Sequence, residues 1–163
     1  MNRQRMGGVY VVEFAIVGLL LFILLFGVLE MGRLLFTVNT LNESVRRGAR
    51  LAVVCNIQDP VILRRAVFAA ANSTTSTIIR NLDTTDLRIS YLDAIGGVIA
   101  DPSPSGGFSR IRFVQVSIEQ FSFNLLIPIL GGNIRLQPFR SVLPRESLGR
   151  HAEEGVTPEI TPC

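Results

Sequence analysis

A continuous apolar run near the N-terminus constrains this chain more than any other feature. The run extends from Val9 to Leu29, and Glu13 is the one charged residue among its 21 positions. In a helix that rises about 1.5 Å per residue, this run is about 31 Å long, which matches a hydrocarbon core of about 30 Å. We therefore predict a membrane-spanning helix that keeps one carboxylate within it, which is costly and needs an explanation.

The residues on either side of the run predict its orientation. Arg3 and Arg5 precede it closely, so residues 1–8 should stay in the cytoplasm as a leader. Glu30 and Arg33 follow it, and the rest of the chain should then be periplasmic. A cleaved secretory signal peptide is the rival interpretation. The run is longer than the usual apolar core of a signal peptide, and no Ala-x-Ala site follows it.

The residues alone leave two interpretations of Glu13 open. In the first, its side chain reaches back to the lipid headgroups. In the second, it meets a cation supplied by another chain. A cut after Gly8 would give Val9 a terminal ammonium group and would make Glu13 the fifth residue of the shortened chain. Such an ammonium can pair with the carboxylate of a staggered neighbouring subunit, and desolvation makes the pair selective for register.

Three segments carry a resemblance to a known family. Gly8-Val-Tyr-Val-Val-Glu13-Phe14, preceded by a basic leader, resembles the processing site of type IV pilins and pseudopilins. Together with Gly27-Val-Leu-Glu30-Met-Gly-Arg33 and Arg46-Arg-Gly-Ala-Arg50, it is similar to the TadE-like family of minor pseudopilins in tight-adherence (Flp, type IVb) pilus systems. The resemblance covers about the first 54 residues. TadE and TadF proteins share the pattern, and Gly18-Leu19 stand where the family often has a proline.

The resemblance implies a function and a set of partners. It implies a minor pseudopilin that a prepilin peptidase cuts between Gly8 and Val9, with Glu13 as the charge used in subunit assembly. The process served would be assembly of Flp pili for adhesion and surface colonisation. The implied partners are the prepilin peptidase, other pilins and pseudopilins, the inner-membrane assembly platform and the lipid bilayer. The alternative is an uncleaved single-pass inner-membrane protein with a periplasmic scaffold or sensor domain.

Charge and motif content argue against nucleic-acid binding and catalysis. The formal net charge is +3, and removal of Arg3 and Arg5 leaves 14 basic side chains against 13 acidic ones. This excess is too small to indicate a nucleic-acid surface. The one histidine, His151, lies in a polar tail, and we recognise no catalytic set, metal-ligand cluster or nucleotide-binding loop. We therefore predict no catalytic residue, no cofactor and no metal site.

The chain has two cysteines, Cys55 and Cys163. In a periplasmic domain, a small even count fits one disulfide. A bridge would fasten the tail at residues 153–162 to the end of the long helix. A buried Cys55 with a free terminal thiol, or a link between chains, are the alternatives to this favoured intramolecular bridge.

The rest of the chain predicts an α+β head. The N-terminal helix should continue over residues 30–54 with an apolar stripe at three- and four-residue steps. A second helix should begin at Pro60 and run to about Arg80, or end early near Asn72. Strand patterns, in chain order, cover residues 87–92, 98–100, 110–118 and 134–143.

These elements give a domain organisation. The leader comprises residues 1–8, the membrane helix residues 9–29, and its periplasmic continuation residues 30–54. After these, residues 55–150 should form a pilin-like head. That head would contain the second helix and three or four antiparallel strands, and residues 151–163 would be a tail. The apolar segment Phe121–Leu130 is too short to span a bilayer, so it either lies on the membrane surface or covers the sheet.

Overall fold

The computed structural model of this protein describes residues 7–103, 106–126, 132–150 and 163. It has an α+β architecture, which confirms the predicted fold class. The elements, in chain order, are α1 (Gly7–Val54), α2 (Pro60–Ala66), β1 (Leu87–Leu92), β2 (Phe113–Ile118), β3 (Phe121–Asn124), β4 (Asn133–Leu136) and β5 (Phe139–Pro144).

The residues group into two compact units. We call Met1–Phe36 together with Phe123–Ile134 the N-terminal unit. We call Thr37–Ser122 together with Arg135–Cys163 the main unit. Helix α1 and the pair of strands β3 and β4 contribute residues to both units.

The C-terminal part of α1 buries one face in the core of the main unit. Four positions of the predicted stripe are fully buried, namely Leu41, Val45, Ala49 and Ala52. They recur at three- and four-residue steps, so they share one side of the helix. Gly48 lies on the same side, and a Cβ atom there would stand 3.1 Å from Ala66 Cβ and 3.2 Å from Val116 Cγ1. Gly48 therefore marks a close approach of α1 to α2 and β2.

A three-stranded antiparallel sheet supplies the other side of this core. Its strand order is β1-β2-β5, so β2 is the central strand. Tyr91 stands opposite Val114, and Val114 stands opposite Leu143. Val114, Val116 and Ile118 are fully buried, as expected for one face of a strand. Strands β3 and β4 form a separate two-stranded sheet.

The second helix is shorter than predicted, because it ends at Ala66 rather than near Asn72 or Arg80. It begins as expected, with Asp59 accepting a hydrogen bond from the Val61 amide at 2.8 Å. Beyond Ala66 the backbone takes left-handed conformations at Phe68 and Asn72. Hydroxyl groups then bond to nearby backbone, as Thr77 Oγ1 does in donating to the Phe68 carbonyl. Such local bonds compete with helix formation.

Three of the predicted strands differ from the observed ones. The segment 98–100 makes only an isolated bridge between Val98 and Leu92, because Pro102 soon removes a backbone donor. The predicted strand 134–143 is in fact two strands of different sheets, β4 and β5. Pro138 lies between them, where the missing amide hydrogen prevents a continuous ladder. The predicted strand 110–118 begins later, at Phe113, after a 3-10 turn at Phe108–Arg110.

The chain after β5 caps the C-terminal end of α1. The Leu148 amide donates to the Val53 carbonyl at 3.0 Å, and the Gly149 amide donates to the Val54 carbonyl at 2.7 Å. These bonds satisfy carbonyl groups that the last turn of a helix leaves unpaired. Residues 127–131 and 151–162 lie outside the described residues. The predicted tail 153–162 and the last four residues of the apolar segment Phe121–Leu130 are therefore not described.

Candidate functional site on the N-terminal helix

The N-terminal half of α1 presents its apolar side chains to the outside on every face. From Val9 to Leu29 the large apolar residues are all exposed, and Phe14 reaches 80%. Within the described part of the chain, this is the one helix that is long and apolar enough to cross a membrane, as judged by length and composition. Such a surface is consistent with a membrane anchor, because a helix that is apolar all round is normally buried in protein or lipid.

The predicted cleavage residues lie on the first turn of this helix. Gly8 is exposed, and nothing lies within 4 Å of the position that a Cβ atom would occupy there. Val9 and Glu13 are four residues apart, so they share one face of the helix. Both side chains are exposed, and Glu13 forms no described ion pair. The described structure thus leaves Glu13 as a carboxylate on an apolar helical surface.

Glu30, directly after the apolar run, is a buried carboxylate with two partners. Its side chain accepts a hydrogen bond from Arg33 Nη1 at 2.7 Å. It also accepts one from the Leu126 amide, at 3.3 Å from Oε2. The Arg33 guanidinium lies over the Phe123 ring, 5.1 Å from its centroid. Glu30 therefore holds the segment that follows β3 against the end of the apolar run.

This role of Glu30 was not predicted from the sequence. The three-residue spacing to Arg33 on a helix was the available signal for an ion pair. The contact with Leu126 joins residues that are 96 positions apart, and no local pattern reveals such a contact.

A disulfide links Cys55, at the end of α1, to Cys163, with a Cα–Cα distance of 5.6 Å. Two further contacts hold Cys163 near α2. Arg65 Nη2 donates to the Cys163 carbonyl oxygen at 3.0 Å, and the Cys163 amide donates to Asp59 Oδ2 at 3.4 Å. Cys55 itself is fully buried. The bridge closes the main unit between residues 108 positions apart.

Three arginines on the outer face of α1 form a basic stripe in the main unit. Arg46, Arg47 and Arg50 are exposed. Arg47 lies over the Phe68 ring, 5.1 Å from its centroid, so it packs on its own domain. We therefore interpret the basic stripe as a solvent-exposed face of α1.

A surface cleft of about 630 Å³ lies in the main unit. The carboxylates that line it are hydrogen-bonded to other groups of the main unit. Asp59 caps α2, and Asp86 accepts the Asp83 amide at 2.9 Å. Glu119 accepts a hydrogen bond from Arg140 Nη2 at 3.1 Å, which holds the pKa of Glu119 below its ordinary value. Among the described residues, no group of three or more His, Cys, Asp or Glu side chains is placed to hold a metal ion.

Comparison with known protein families gives a match over the N-terminal part of the chain. The family model described as TadE-like protein matches residues 8–50, which are 43 of the 163 residues. Neither the curated proteins nor the solved structures contain a match to this chain. The family match indicates a role related to the tight-adherence pilus. The matched segment contains Gly8, Glu13, Glu30 and Arg33, so the resemblance to the TadE-like family is confirmed over the apolar run and the part of α1 that follows it.

Proposed function

We propose that this protein is a minor pseudopilin that takes part in the assembly of tight-adherence (Flp, type IVb) pili. In this proposal, the run from Val9 to Leu29 crosses the inner membrane, with the leader in the cytoplasm and the main unit in the periplasm. A prepilin peptidase cuts the chain between Gly8 and Val9. The shortened chain then packs its apolar helix among those of other pilins and pseudopilins, at the inner-membrane assembly platform. The chain is thus a structural component and a substrate of the peptidase.

The observation that carries the proposal is the position of Glu13 on α1. It is the one charge in an apolar surface that is exposed on all sides, and it stands five residues after Gly8. A carboxylate near the centre of a membrane helix costs about 2.5–3.5 kcal/mol on insertion scales, and less towards either end. A terminal ammonium at Val9 of a neighbouring subunit would offset this cost within a bundle of helices.

Accessibility of the cleavage position supports the same proposal. The open surroundings of Gly8 leave room for a protease to bind the backbone there. The family match begins at residue 8, so the matched segment starts next to the proposed cut.

The proposal is tested by replacing Glu13 in the native host. We expect Glu13→Leu to insert into the membrane at normal abundance and to lose pilus assembly, because only the intersubunit pair is removed. Glu43→Leu is the matched control, since Glu43 is an exposed carboxylate on the same helix but beyond the apolar run. Membrane fractionation measures insertion, and surface pili are counted by electron microscopy.

The opposite result would favour the uncleaved scaffold or sensor. Such a protein needs no intramembrane carboxylate, so Glu13→Leu would then form pili as well as Glu43→Leu does. A Gly8→Ala variant that is still cut and still supports pili would remove the role assigned to Gly8.

A further inference from the structure

The basic stripe on α1 carries charge that the described part of the chain does not neutralise. Arg46, Arg47 and Arg50 are exposed, and no described ion pair includes any of them. Residues three and four positions apart are neighbours on a helix surface, so Arg50 lies next to both of the other arginines. The stripe therefore presents three positive charges side by side.

A carboxylate stands within reach of the stripe but does not pair with it. Glu43 precedes Arg47 by four residues, the spacing at which a glutamate and an arginine pair on a helix surface. Both side chains are exposed, yet the described ion pairs do not include this one. The Arg47 guanidinium lies instead over the Phe68 ring. The ring, rather than a neighbour on the helix, sets the orientation of Arg47.

The backbone at Phe68 takes a conformation that is unfavourable for a residue with a large side chain. Its φ angle is 58°, in the left-handed region that such residues rarely adopt. Two bonds hold this conformation, because the Thr77 amide and hydroxyl both donate to the Phe68 carbonyl, at 3.3 Å and 2.8 Å. Backbone strain of this kind costs free energy and clusters at ligand-binding sites. At Phe68 it accompanies a ring placed against one arginine of the stripe.

An arginine fixed in this way is suited to binding a carboxylate. Stacking on a ring leaves the N–H donors of the guanidinium free in one plane, and this fork matches the two oxygens of a carboxylate. Arg46 and Arg50 add charge on either side of Arg47 along the helix. Acidic side chains three or four residues apart on a partner helix would have the same spacing as the arginines.

The position of the stripe along α1 argues against phospholipid as the source of the anion. Arg46 comes 17 positions after Leu29, the last residue of the apolar run. In one continuous helix this separation is a rise of about 25 Å, whereas headgroups would lie directly at the end of the run. A carboxylate-bearing protein is therefore favoured over a lipid surface.

We propose that the basic stripe docks an acidic segment of another protein, whose carboxylates bind Arg46, Arg47 and Arg50. Charge complementarity between the two surfaces selects the partner and speeds its association. Phe68 is a positioning residue that holds Arg47 ready for this contact. The docking goes beyond the proposed function and does not depend on cleavage at Gly8, so each can fail without the other.

Binding of a synthetic acidic peptide tests the proposal. The probe is an alanine-rich helical peptide with four glutamates spaced four residues apart, and its glutamine analogue is the control peptide. Calorimetric titration at physiological salt uses the full-length protein in non-ionic detergent. The stripe variant combines Arg46→Gln, Arg47→Gln and Arg50→Gln.

A matched variant removes the same charge from other places. It combines Arg80→Gln, Arg88→Gln and Arg135→Gln, which replace exposed arginines that form no described ion pair. A further variant, Phe68→Leu, keeps every charge and removes only the stacking on Arg47.

We expect the wild type to bind the glutamate peptide and not its glutamine analogue. The stripe variant should lose at least about 10-fold in affinity, since three charge-assisted contacts are removed, and the matched variant should lose less than about 2-fold. Phe68→Leu should lose about 2- to 5-fold, as expected for one exposed cation–π contact.

Three results would overturn the proposal. Absence of binding by the wild type would show that the stripe is only a solvated face. Equal losses in the stripe and matched variants would show attraction to the net charge of the protein. Binding to micelles that contain phosphatidylglycerol, lost in the stripe variant while the glutamate peptide does not bind, would assign the stripe to lipid. Unchanged affinity in Phe68→Leu would remove the positioning role of Phe68.

Discussion

At the scale of single residues, Gly48 on α1 permits close packing of the helix that its residue type alone does not indicate. Gly48 lies in the middle of a helix, where glycine normally costs about 1 kcal/mol relative to alanine. Here the missing side chain lets α1 approach Ala66 and Val116, both of which are fully buried. The segment around Gly48 belongs to the family pattern in the sequence, but only the packing shows why a glycine stands at this position.

We expect Gly48→Ala to lower the free energy of unfolding by about 1 kcal/mol. Overpacking of a core typically costs about 1–3 kcal/mol, and the better helix propensity of alanine offsets about 1 kcal/mol of it. Gly32→Ala is the matched control, because nothing lies within 4 Å of the corresponding position on the same helix. Denaturant unfolding in detergent measures both variants. If Gly48→Ala were as stable as Gly32→Ala, the close approach would be refuted.

At the scale of elements, the residue pattern within a segment predicted where helices and strands form, but it did not predict which strands pair with each other. The alternation in Leu87–Leu92 predicted β1 with its exact limits, and the apolar periodicity predicted α1 to Val54. In contrast, the split of residues 134–143 between two sheets depends on which distant strand each half pairs with. The length of α2 was overestimated, because its apolar residues after Ala66 belong to turns that also pack on the core.

The hairpin of β3 and β4 offers a prediction at this scale. Glu30→Leu removes the acceptor of the Leu126 amide, and we expect hydrogen exchange of that amide to become about 10-fold faster or more. A hydrogen bond to a charged group contributes about 1.5–3 kcal/mol, and 1.36 kcal/mol corresponds to a factor of ten. Exchange is measured by NMR in detergent micelles. Glu43→Leu is the control and should leave the rate unchanged, whereas unchanged exchange in Glu30→Leu would show that the contact is absent in solution.

At the scale of the whole molecule, the fold depends on links between distant parts of the chain. The disulfide between Cys55 and Cys163 closes a loop of 108 residues around most of the main unit. This bridge was the favoured pairing before the structure, because both cysteines were expected in an oxidising compartment. The contacts of Cys163 with Arg65 and Asp59 were not predictable, since they require the position of α2.

We expect Cys163→Ser to lower the free energy of unfolding by about 4–5 kcal/mol, as the chain-entropy model gives for a loop of this length. Guanidinium unfolding of the oxidised wild type and the variant measures the difference. A reducing agent should destabilise the wild type by a similar amount and leave the variant unaffected. If reduction lowered the stability of the variant just as much, the stabilisation would not come from this bridge.

The central proposal concerns one peptide bond, between Gly8 and Val9, and intact mass spectrometry tests it most directly. The protein is extracted from membranes of a host with its prepilin peptidase and of one without it. We predict a mass reduced by residues 1–8 only where the peptidase is present, which would make Val9 the functional N-terminus. A full-length mass in both hosts would contradict the proposal, and the uncleaved scaffold would then be the better explanation.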